Sequence, residues 1–166
     1  MILEALGVAS LYFLAGKIGL LTAVPPAFES AAIWPTSGFA VAYLTLRGVI
    51  RWPAIFLGSS LFCFSVYSRF VGRSPNITYR EVIFVTLGVA ICMTGQSVLQ
   101  SYFIRRYIGV GGVFRRASNA LNFIWFAVLA CALGTALGAA IEPALGIISW
   151  AEYTETWTNW CLGEVI

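Results

Sequence analysis

Few side chains in this chain could do chemistry, and their kinds restrict what that chemistry would be. Histidine is absent, which removes the commonest general base and the commonest metal ligand. Cys63, Cys92, Cys131 and Cys161 stand alone, with no Cys-x-x-Cys pair. Neither a zinc site nor a disulfide framework is therefore implied. What remains is Lys17 with the carboxylates Glu142 and Glu164, all three within apolar runs. A charge in hydrocarbon is costly enough to need a structural or functional reason, and an ammonium facing two carboxylates is a coherent one. Such a cluster would bind or relay rather than catalyse. The expectation is a protein that is not an enzyme and needs no cofactor or metal.

The elements that position these residues follow from composition. Of 166 residues, 60% are hydrophobic and 10% charged, against about 25% charged in soluble domains, and the mean hydropathy is +0.86. A crossing takes roughly 20 mostly apolar residues, and such stretches follow one another along the chain. The pattern predicts spans over residues 5–24, 31–46, 52–70, 81–104 and 119–148, with Ser118 or Asn119 capping the last of these. A sixth hydrophobic segment begins at Trp157 and reaches Ile166 after about ten residues, half a crossing. The expected fold is an all-α polytopic bundle of five complete transmembrane spans plus the start of a sixth. Residues 1–166 would form one sensor-sized domain that continues beyond 166.

Charge placement gives an orientation. Arg47, Arg51, Arg105, Arg106, Arg115 and Arg116 fall in loops on the N-terminal side, whereas Arg69, Arg73 and Arg80 on the other side are diluted by acids. The positive-inside rule then puts the N-terminus in the cytoplasm. The net charge of +3 reads as a topology signal rather than a nucleic-acid surface.

Three short patterns refine the bundle. Ala130, Gly134, Gly138, Glu142 and Gly146 recur every four residues, hence on one helix face, where small residues allow close helix packing. Glu142 continues that face and should point into the bundle. Cys92, Gln96 and Gln100 share a face of the fourth span, where amides would bond a neighbouring helix. Pro35-Thr36-Ser37-Gly38 predicts that the second span breaks. A helix from Pro35 to Leu46 rises only ~18 Å, too short for a core of ~30 Å. Residues 27–34 must then cross the remainder as a kinked segment, and the free N–H groups at the restart either receive an anionic group or are capped by Thr36 and Ser37.

The strings Leu11-Tyr12-Phe13-Leu14-Ala15-Gly16-Lys17-Ile18-Gly19-Leu20, Ile33-Trp34-Pro35-Thr36-Ser37-Gly38 and Trp52-Pro53-Ala54-Ile55-Phe56-Leu57-Gly58 resemble the first type of bacterial membrane-associated sensor domain, abbreviated MASE. The closing Trp157-Thr158-Asn159-Trp160-Cys161-Leu162-Gly163-Glu164 is similar to the family's Trp-rich segment ending in Gly-Asp, with glutamate here in place of aspartate. The resemblance implies a multi-span sensory module of the bacterial cytoplasmic (inner) membrane. Its partners would be the lipid bilayer and a C-terminal cytoplasmic output domain of histidine kinase, diguanylate cyclase or phosphodiesterase type, so that it serves two-component or cyclic-di-GMP signalling.

The leading functional expectation is therefore a sensor of a small polar or anionic ligand, or of membrane state. Lys17, Trp34, Thr36, Ser37, Glu142, Asn159, Trp160 and Glu164 are the candidate site. Lys17, Glu142 and Glu164 are expected to converge in the outer half of the bundle. Two alternatives stand beside it. One is the substrate-binding membrane subunit of a transporter. The other is a localisation or dimerisation scaffold, in which the glycine face would join a homodimer.

Overall fold

The computed structural model describes residues 2–22, 34–72 and 77–165. Among them every regular element is helical: α1 (Ile2–Leu20), α2 (Pro35–Arg47), α3 (Trp52–Tyr67), α4 (Tyr79–Phe103), α5 (Ala117–Ala144) and α6 (Tyr153–Val165). Among the described residues, four helical segments are long and apolar enough to cross a membrane: Ile2–Leu20, Val49–Phe70, Tyr79–Ile108 and Ala117–Ala144. The helices α2 and α6 have 13 residues each, about 20 Å of rise, and fall short of a crossing by themselves.

The surface is apolar, and polar side chains lie among the apolar ones of the interior. Leu3, Leu6, Leu11, Leu14 and Ile18 of α1 and Leu121, Ile124, Trp125, Leu129, Leu133 and Leu137 of α5 are exposed, whereas Ser59, Thr86, Thr94, Gln96, Ser97, Gln100, Ser101 and Thr135 are buried. Apolar surroundings reward this arrangement where a buried polar side chain finds a partner that hydrocarbon lacks, as Ser59, Gln96, Ser97, Ser101 and Thr135 do.

Close approach of backbones sets the packing. α1 lies against α3, where Gly16 faces the Phe62 ring and Gly58 faces the Ala9 carbonyl; a Cβ on Gly58 would sit 2.8 Å from that oxygen. α4 packs between α3 and α5, α2 lies on α4 and α1, and α6 runs back along α5. Aromatic donors tie this last pair: Tyr153 Oη donates to the Ala136 carbonyl and Trp157 Nε1 to the Ala132 carbonyl, each at 3.2 Å. Four residues along one helix match four along the other, as antiparallel neighbours require.

The ends of the helices amend the sequence expectations in three places. α5 begins at Ala117 after Arg116, without a side-chain cap. Asn119 instead turns back and donates through Nδ2 to the Gly112 carbonyl at 2.8 Å. The helix also stops at Ala144, just after Pro143, rather than at Ile148. Gly146 thus leaves the four-residue face and takes φ +72° in the turn that follows, a conformation glycine adopts without steric cost. The fourth span starts where Thr78 and Glu81 form a reciprocal capping box, which satisfies two of the donors a helix start leaves free.

Candidate functional site

α2 begins at Pro35, with Trp34 in a non-helical conformation (φ −114°, ψ 83°). Proline at the first helical position lacks only a donor that has no intrahelical acceptor there. The restart at Pro35 therefore agrees with the expected break, while its other half, residues 27–33, lies outside the described residues. Neither Thr36 nor Ser37 caps the turn. Thr36 is fully buried with its hydroxyl unpartnered, and Ser37 is buried beside Glu164 on the wall of a shared cleft.

What meets the start of α2 is the end of α6. The Trp34 N–H donates to the Gly163 carbonyl at 2.9 Å. Next to it the Glu164 carboxylate accepts from Gln96 Nε2 of α4, and Cys131 Sγ of α5 reaches the Glu164 carbonyl at 3.9 Å. Three helices thus close on α6 around one acidic residue. Gln96 performs the interhelical bond expected of its face. A small cavity of about 40 Å³ lies against this junction, walled among others by Trp34, Phe62, Met93, Trp160 and Glu164, with room for a water-sized guest.

The other candidates sort into separate places. Trp160 belongs to the junction: it lines the small cavity and covers Gly138, its ring 3.4 Å from where a Cβ would stand. Asn159 is half-buried one residue earlier and lines neither this cavity nor the larger cleft. Glu142 is fully buried, as its place on the small-residue face required, and accepts from Tyr67 Oη at 2.7 Å.

Lys17 departs from the expected cluster. Its Nζ donates to Ser65 Oγ at 2.8 Å and sits 5.2 Å and 5.9 Å from the Phe13 and Phe62 ring centres. No ion pair within 4 Å joins it to Glu142 or Glu164; the ion pairs among the described residues are those of Glu4 with Arg47 and Arg51. Lys17 lies one turn from the end of α1 at Leu20, where a half-exposed ammonium keeps access to the boundary.

The small-residue face packs helices closely inside the bundle, as its spacing predicts. Gly134 faces Gln96, whose Cβ would stand 2.6 Å from an added methyl, and Gly138 faces Trp160. Both glycines are spent inside the bundle and are closed to a second copy of the chain. The candidate site residues omit Gln96. Its signal was present, an amide on a shared face with Gln100, but nothing local told that its partner would be a carboxylate 68 residues away.

Compared with known proteins, the chain matches no family model, no curated protein and no solved structure.

Proposed function

We propose that this chain is a bacterial sensory module of the first MASE type, embedded in the cytoplasmic membrane with its N-terminus inside, and that the junction of α2, α4, α5 and α6 is its switch. The observation that carries the reading is the contact between Trp34 and Gly163-Glu164. The two segments in which the resemblance to that family is strongest, around Trp34-Pro35 and Trp157 to Glu164, meet at one point of the bundle. On this reading α2 and α6 belong to the second and sixth membrane segments, and the module itself performs no catalysis.

Glu164 and Gln96 would hold α6 in one position. A small polar ligand that replaces either partner, or a change in lateral packing that moves α6, would favour another position and pass to a cytoplasmic output domain. Signalling requires that the ligand bind the two arrangements unequally, because equal affinity shifts nothing.

Thermal unfolding of the purified protein against a panel of small polar metabolites tests this. A true ligand at 100 times its Kd adds about 2.7 kcal/mol, and Glu164→Ala should abolish that gain while leaving a folded protein. If no compound stabilises the wild type, and Glu164→Ala fused to a cyclase or kinase reporter signals as the wild type does, the reading fails.

A further inference from the structure

A second, much larger space lies beyond the junction. Between α2 and α5 runs a cleft of about 570 Å³, lined by Gly38, Val41 and Ala42 of α2, Ile104 at the end of α4, and Phe123 and Ala127 of α5. It starts at Trp34, Ser37 and Glu164 and ends at Leu46, Val113 and Phe114, so it follows α2 for twelve residues, ~18 Å. One leaflet of a ~30 Å hydrocarbon core is about 15 Å deep. The cleft therefore has the length and the apolar lining of a single acyl chain lying parallel to the helices.

Its mouth is basic. Arg105 follows Ile104 on the wall and donates through Nη1 to the Thr45 carbonyl at 2.5 Å, which fixes the guanidinium at the rim with further N–H donors free to bond. Arg115 and Arg116 follow the wall residues Val113 and Phe114 and are exposed. Phe114 itself is 95% exposed at the rim. The acid described at this end, Glu4, is already engaged by Arg47 and Arg51. Arg105, Arg106, Arg115 and Arg116 take part in no ion pair among the described residues. Arginines without an ion pair next to the wall of a mainly apolar cleft call for an anionic head on an apolar tail.

We infer that the α2–α5 cleft is a binding site for an anionic phospholipid, with one acyl chain along α2 and the phosphate held by Arg105 and Arg115. The inference goes beyond the sensory reading and stands whether or not the junction senses a ligand.

The test is lipid retention by the intact protein. The protein is reconstituted in nanodiscs of phosphatidylglycerol and phosphatidylcholine in equal parts, extracted mildly, and its retained lipid identified by native mass spectrometry. The expected result is one retained phosphatidylglycerol in preference to phosphatidylcholine. Replacing both arginines (Arg105→Gln with Arg115→Gln) should weaken that preference roughly thirtyfold, from two charges near the surface. Arg115→Gln alone, in an exposed turn, should weaken it about fivefold, and keeps the test open if the double variant does not fold. Ala42→Trp, which fills the cleft from its exposed edge, should remove retention of either lipid. Equal retention of both lipids, unchanged preference in Arg115→Gln, or a dimer whose cleft is occupied by a second copy's helix would each overturn the proposal.

Discussion

At the scale of single residues, the contacts of Lys17 decide what its removal does. A hydrogen bond to Ser65 and two aromatic faces at a half-exposed site are together worth about 1–2 kcal/mol. Lys17→Met should cost about that much in a chemical unfolding measurement. Combined with Glu164→Gln, the losses should add within about 0.5 kcal/mol, because the two residues share no hydrogen-bond partner. Recovery of stability in the double variant would instead mean that they interact. Glu152 gives a pH dependence. The Ser149 N–H, donating at 2.7 Å, and the Ser149 hydroxyl hold its carboxyl below the usual carboxylate range. A depressed acid contributes its stabilisation above its unfolded pKa of about 4.3 and loses it as pH falls through the folded value. Protection of the Ser149 amide against hydrogen exchange, measured against its intrinsic rate, should therefore be high at neutral pH and fall in acid, and in Glu152→Ala it should be low throughout.

Among the helices, Gly134 of α5 packs directly against Gln96 of α4, the residue that holds Glu164. A methyl group there would meet Gln96 at its Cβ as well as at its amide, so rotating the side chain away does not relieve the clash. Gly134→Ala should destabilise the protein by about 1–3 kcal/mol and detach Gln96 from Glu164. The same change at Gly38, where nothing lies within 4 Å of the added atom, should be neutral or slightly stabilising, since alanine is the better helix former. Thermal unfolding of the two variants side by side separates close packing from helix propensity. If both lose stability equally, the proximity at Gly134 is not what constrains the α4–α5 pair.

For the molecule as a whole, the asymmetry of arginines predicts the orientation. Single cysteines at Ser118 and Thr154, both exposed, in a background with the native cysteines replaced, should report opposite sides. An impermeant maleimide applied to intact cells should label position 154 and spare position 118. Labelling of position 118 from outside would invert the topology. The exposed leucines of α1 and α5 also predict that the protein is monodisperse only with detergent or lipid around it, because apolar patches of that extent associate in water.

Composition and periodicity alone determined that the chain is helical, that its outside is apolar, that a helix restarts at Pro35 and that Glu142 faces inward. These are local or one-dimensional properties. Hydropathy fixes the solvent, a proline's missing donor fixes a helix start, and a four-residue repeat fixes a face. Only the tertiary structure decided which face meets which. Glu164 found Gln96 and the start of α2, Lys17 found Ser65, and the glycines of α5 turned to α4 and α6 rather than to another copy. Depth along a helix can be counted from its residues. The lateral neighbour at that depth depends on how five other helices pack around it, and on where each one ends.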